Sequence, residues 1–257
     1  GLAITVLNPP TVSTDKTLVT TDNLVDHNIF WIPSLKKFIL GFKNESQGND
    51  FEVVIGEVDD AGAFTWGSLV EVEAGTLSGE PAFTYDTNSN KVVAVWRDSG
   101  TSDINSIVGT VSGNSISFGT KVAIDSNGAG DVAVCFDSTN NKVVATWIDD
   151  SGNNSYAVSA VGTVSGTGIS WGTAVDVNAY GTYNTHCTYD PDTQRVLAVT
   201  RKASDNQINS HVGTVSGTSI SWGSATEIVS DGLYPEIVYD TENNKAVVGY
   251  ITGGNTC

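Results

Sequence analysis

The chain has 257 residues, 39% of them hydrophobic, with six Trp, eight Tyr and eight Phe; that is enough apolar surface for a sizeable core and rules out a disordered chain. Twelve Lys and Arg against 29 Asp and Glu give a formal charge of −17, which repels a phosphate backbone and sets nucleic acid aside as a partner. No apolar run approaches the roughly 18 residues of a spanning helix, so no membrane insertion is expected.

The chain begins with Gly1 and contains no methionine, which reads as a processed mature chain or an excerpt of a longer one. Leu2 to Leu7 and Thr11 to Val19, joined through Asn8-Pro9-Pro10, read as two strands of a proline-marked hairpin. They match the second half of a repeat whose copies fill the remaining chain. His27 to Trp31, a turn at Pro33-Ser34 and Lys37 to Phe42 match its first half. That first half returns at Pro81 to Trp96, Val132 to Trp147, Thr185 to Thr200 and Pro235 to Tyr250. The second half returns as Ile55 to Gly67, Val108 to Gly119, Val161 to Gly172 and Val212 to Gly223, with Trp66, Phe118, Trp171 and Trp222 spaced 52, 53 and 51 residues apart.

A strand-like period near fifty indicates propeller blades. The first half occurs five times, and the last is followed by only a few residues while the chain opens with an orphan second half. The expected fold is therefore all-β: a five-bladed β-propeller over 1–257, four strands per blade, with the last blade shared between 1–19 and 235–257. Such closure hides two strand edges.

In four blades the first strand ends in an aromatic-Asp pair (Tyr85-Asp86, Phe136-Asp137, Tyr189-Asp190, Tyr239-Asp240), with Trp31-Ile32 as the deviant in the other, and a base follows five positions on (Lys91, Lys142, Arg195, Lys245, and Lys37 after Ile32). Asp bonding its own backbone in a turn accounts for this better than five ionic sites, since a surface ion pair contributes under ~1 kcal/mol. The second strand is a continuous apolar run such as Val92 to Trp96, as expected of a sheet covered on both faces. The Trp or Phe of the Ile-Ser-Trp-Gly stretch reads as a packing staple between blades, with an exposed lectin-like aromatic as the alternative. Cys135, Cys187 and Cys257 are too few and too scattered for a disulfide framework or a zinc site, and read as two buried small hydrophobes and a terminal thiol.

The run VGTVSGTSISWGS, followed by an aromatic-Asp strand and an NNKVV strand, resembles the tandem-repeat propeller modules of phage tail-fibre and other virion-surface proteins and of some secreted bacterial proteins. The resemblance covers nearly the whole chain and implies a module displayed extracellularly or on a virion surface that recognises a glycan or host-surface receptor. A sialidase-type Asp box is not met, because Gly166 stands where its Asp belongs although Gly168 to Trp171 keeps the spacing.

Two sets of candidate site residues follow. One position before each inner strand holds Asp26, Glu80, Asp131, Asn184 and Tyr234, and two further along stand Asn28, Ala82, Ala133, His186 and Glu236. Convergence of Asp26, Glu80 and Asp131 would invite a hard cation such as calcium, the one cofactor considered, or would supply the paired carboxyls of a five-bladed glycosidase; solvated strand ends are the plain alternative. The second set lies at the ends of the second strands, beside variable loops: Phe42 and Lys43, Trp96 and Arg97, Trp147, Arg201 and Tyr250. Aromatic rings next to cations suit sugars, while the apolar strands leading to them argue for burial of the rings. No catalytic residue is assigned. The reading is a non-enzymatic recognition module, with a glycosidase as the alternative and a purely structural surface or fibre module as the third.

Overall fold

The computed structural model describes residues 22–59, 64–151 and 155–252. The described residues form antiparallel strands, with no α-helix and a single 3-10 turn at Glu45–Gln47. The first sheet comprises β1 (Leu24–Ile32), β2 (Lys37–Asn44), β3 (Asp50–Val58), β4 (Phe64–Trp66) and β5 (Val70–Glu73). The second comprises β6 (Leu77–Asp86), β7 (Lys91–Asp98), β8 (Ile104–Ser112), β9 (Ser115–Phe118) and β10 (Val122–Asp125). The third comprises β11 (Gly128–Asp137), β12 (Lys142–Asp149), β13 (Tyr156–Ser165), β14 (Gly168–Trp171) and β15 (Val175–Asp176). The fourth comprises β16 (Thr182–Asp190), β17 (Arg195–Lys202), β18 (Ile208–Ser216), β19 (Ser219–Trp222) and β20 (Thr226–Val229). The fifth has β21 (Gly232–Asp240) and β22 (Lys245–Thr252).

In the first four sheets the outermost element is one strand broken in two, both pieces pairing with the third strand. The break follows the aromatic-Gly step in each, and in three of the four the glycine also meets the next blade. A Cβ on Gly67, Gly119 or Gly172 would lie 1.7, 1.9 or 1.9 Å from the carbonyl oxygen of Asn114, Thr167 or Thr218, each in the outer hairpin of the next sheet. Glycine is thus required where one blade's outer edge meets its successor's backbone.

The inner strands β1, β6, β11, β16 and β21 follow one another side by side, and the core lies in layers between neighbouring sheets. Phe42, Phe51, Trp96 and Trp147 are among its largest fully buried side chains. The aromatic-Asp pairs serve as turns: Asp86, Asp137, Asp190 and Asp240 each accept the backbone N–H groups two and three residues on. The following lysines reach across strands, Lys91 and Lys142 donating to the hydroxyls of Thr110 and Thr163. The expected partnership of 1–19 with the last sheet lies outside the described residues.

Candidate functional site

Every inner strand carries an irregularity at its first turn of pairing. The register shifts between Val25 and Asn28, Ser78 and Ala82, Gly128 and Val132, Thr182 and Asn184, and Leu233 and Glu236. A bulge re-aims side chains that a regular strand would send into the neighbouring layers. The result is a cavity of about 530 Å3 at one end of the inner strands, to which all five of them contribute. Asp26, Glu80, Asp131, Asn184 and Tyr234 all line it, as do Asn28, His186 and Glu236. The repeat-derived position therefore converges on one space.

Its charges are partly compensated. The Lys43 ammonium lies 2.5 Å from the Asp26 carboxylate. Asn184 donates to Asp131 at 2.5 Å, and His186 Nε2 lies 2.9 Å from Glu236 Oε2. Glu80 has no hydrogen-bond or ion-pair partner among the described residues. Partial burial and then the Glu236 charge raise the Glu80 pKa, with Asp26 and Asp131 adding to the effect. Burial likewise raises that of Asp131, against the Asn184 hydrogen bond. For His186 burial opposes protonation, but Glu236 outweighs it and the imidazole pKa is raised.

No group of three or more His, Cys, Asp and Glu is arranged to hold a metal ion among the described residues. Asp26, Glu80 and Asp131 share a cavity.

The second residue set ends at the same rim, because the second strand of each blade runs antiparallel to the first and finishes beside its start. Its rings need correction as contact surfaces. Trp96 and Trp147 are 0% exposed and Phe42 1%; Trp96 and Trp147 belong to the core layers on either side of the second sheet, and all three are too buried to offer a face to a ligand. Trp147 instead donates its indole N–H to Asp125.

Arg97 lines the cavity, but its fork is occupied: it donates to the Gly128 carbonyl at 2.7 Å and to the hydroxyls of Ser78 and Ser102. This ties the starts of β6 and β11 together. Arg201 donates to Asn206 and to Asn184 Oδ1, and its guanidinium stacks 5.0 Å from the Tyr183 ring centroid. Asn184 relays that contact to Asp131. Lys43 is held by Asp26, and Tyr250 lies part-exposed on β22.

Exposed rings at the rim include Tyr234, 63% exposed, Tyr183, 55% exposed, and Tyr250, 39% exposed. Tyr234 adopts φ +50°, a left-handed conformation that is an outlier for a bulky residue. Asp26, at φ +48°, is in the same region, and Gly79 answers the same need in the second sheet. Tyr234 is named by repeat alignment, and its exposure follows from the bulge between Leu233 and Glu236, inside which Pro235 also falls.

No protein-family model matches the chain, and no curated protein is similar to it. Among solved structures it is similar to AofleA from Arthrobotrys oligospora, with a TM-score of 0.51 and 10% identity over 86% of this chain and 58% of that one. It is also similar to a candidate 6-phosphogluconolactonase from Bacteroides uniformis, with a TM-score of 0.55 and 11% identity over 83% of this chain and 60% of that one. The chain spans less than two thirds of either structure. At such identity the likeness shows a β-propeller-like fold.

Proposed function

We propose that this chain is a non-enzymatic recognition module that binds carbohydrate at the rim of the inner-strand cavity. The observation that carries the reading is the juxtaposition, in one open cavity, of the exposed Tyr234 ring with the carboxylates of Glu80, Asp131 and Glu236 and the imidazole of His186. A tyrosine face accepts the C–H side of a pyranose, and carboxylate, amide and imidazole groups around it hydrogen-bond its hydroxyls. With acids outnumbering bases in the lining, neutral or amino sugars fit better than sialylated or uronic ones. Arg97, Arg201 and Lys43 act as positioning residues for this rim. Display outside the cell or on a virion surface, with a host-surface glycan or glycosylated receptor as partner, suits this reading and the repeat resemblance. No helix of the described residues is long and apolar enough to cross a membrane.

A glycosidase is the second reading, and one observation favours it: the pKa values of Glu80 and Asp131 are both raised, the direction a general acid requires. A glycan array probed with the chain, run beside an assay for released reducing ends on the bound glycans, separates the two. Binding without release supports the recognition module; release that Glu80→Gln or Asp131→Asn abolishes supports the glycosidase; neither binding nor release refutes both.

A further inference from the structure

Cys135 and Cys187 are both buried and both free. Successive residues of a strand face opposite sides of the sheet, and this alternation decides what the two thiols meet. Val134 belongs to the core layer between the second and third sheets, whereas Cys135 belongs to the layer between the third and fourth. Cys187, on the adjacent inner strand β16, belongs to that same layer. Both thiols therefore lie in one core layer on adjacent inner strands, close enough for each to influence the other's ionisation, and Cys187 Sγ donates to the Val144 carbonyl at 3.9 Å. Corresponding positions of other repeats hold Thr84 and Val134 at the preceding boundary, and Thr188 and Ile237 at the following one, so only this boundary pairs two thiols.

We infer that Cys135 and Cys187 form a disulfide that joins the third and fourth sheets when the chain folds under oxidising conditions. Strands β11 and β16 lie side by side, so the bond would link neighbouring inner strands. The bond would close a loop of one full repeat, the kind of cross-link that restricts the unfolded chain most. Cys187 is the nucleophile. Its thiol ionises below its usual range because Cys135 donates to it, with His186 nearby adding to the effect, while the Cys135 thiol is held up by the same contact and by burial. With oxidised glutathione as oxidant, the Cys187 thiolate attacks one glutathione sulfur and expels glutathione thiolate, leaving a mixed disulfide. Cys135, having lost its proton to solvent, then attacks Cys187 Sγ and expels the second glutathione. Two protein thiols are oxidised and one glutathione disulfide becomes two thiols. At the burial seen here the exchange takes place during folding or local opening rather than in the closed molecule.

The test refolds the full chain in oxidised and reduced glutathione, alkylates under denaturing conditions and maps the peptides, with a thermal melt of each sample. The expected result is a peptide linking Cys135 to Cys187, protection of both from alkylation, and a melting temperature several degrees lower after reduction. Cys135→Ala should melt at one temperature with or without reductant; if it fails to fold, the peptide map of the parent decides alone. Full alkylation of Cys135 and Cys187 in natively folded chain from the oxidised sample, or a linkage of either to Cys257, overturns the inference.

Discussion

The indole N–H of Trp171 donates to the hydroxyl of Ser106 at 2.9 Å, across the boundary between the second and third sheets. Trp222 repeats the contact one blade on, donating to Ser159 at 2.9 Å. Ser106 in turn donates to the Val122 carbonyl on the outer strand of its own blade, so one hydroxyl couples the outer edge of a blade to the aromatic of the next. The recurring Ile-Ser-Trp-Gly stretch is thereby a seam between blades and not a ligand platform. Ser106→Ala leaves the indole N–H without its acceptor and should cost about 1–2 kcal/mol. Urea melts of Ser106→Ala, Trp171→Phe and the double variant should show a double cost smaller than the sum of the two singles; strict additivity would deny the contact.

The glycine after that aromatic offers an internal control. A Cβ on Gly172 meets the Thr218 carbonyl oxygen at 1.9 Å, whereas on Gly223 the nearest atom within reach is the Val212 carbonyl oxygen at 3.6 Å. Gly172→Ala should lose more than about 2 kcal/mol through backbone displacement, and Gly223→Ala less than about 1 kcal/mol. Equal losses in chemical denaturation would contradict the blade-contact account.

Acid lability should trace to His211. Burial lowers its pKa from 6.5 to about 4, and its Nε2 sits 3.0 Å from the Thr200 hydroxyl and 3.3 Å from that of Tyr180. Between those values the unfolded chain binds a proton that the folded chain does not, so this contribution is complete above pH 6.5 and is lost as the pH falls toward 4. The loss is on the order of 3 kcal/mol. The raised pKa values of His186, Glu80 and Asp131 act with the opposite sign, which makes the difference between parent and His211→Gln profiles the informative quantity. That difference should grow from pH 4 to 6.5 and flatten above; a constant difference would remove His211 from the account.

Closure of the ring by 1–19 is a proposal supported by the last sheet. Val247 and Ile251 on β22 are 51% and 56% exposed, though equivalent positions in other blades carry a third strand. Deleting residues 1–19 should cause aggregation or loss of a cooperative melt. A truncated chain melting sharply at the parent temperature would refute the shared blade.

Much of this molecule is legible in the sequence, for identifiable reasons. Repeat spacing gives the five inner hairpins, and Asp86, Asp137, Asp190 and Asp240 announce their turns because a short carboxylate at a strand end has one local use. Position counting from the repeat also brings Asp26, Glu80 and Asp131 to one cavity. What alternation could not decide is which apolar residues at a strand end stay outside. Trp96 and Trp147 look like platforms beside Arg97, yet they continue a strand with both faces covered. Tyr234 looks like an ordinary strand residue, yet a bulge at φ +50° turns it outward; Pro235 beside it marks the irregularity, but the side it exposes depends on pairing with β22.

Carbohydrate binding is proposed at the cavity rim, with Tyr234 as its exposed ring. Its most direct test is titration of the parent, Tyr234→Ala and Tyr234→Phe with the best glycan from the array, each with a thermal melt. The expected result is at least a tenfold loss of affinity in Tyr234→Ala, near-parent affinity in Tyr234→Phe, and a melting temperature within a few degrees of the parent in both, because Tyr234 is 63% exposed and gives up little buried surface. Unaltered affinity in Tyr234→Ala, with binding lost instead on altering the opposite hairpins at Ser112 or Ser165, would place the ligand on the other face and contradict it.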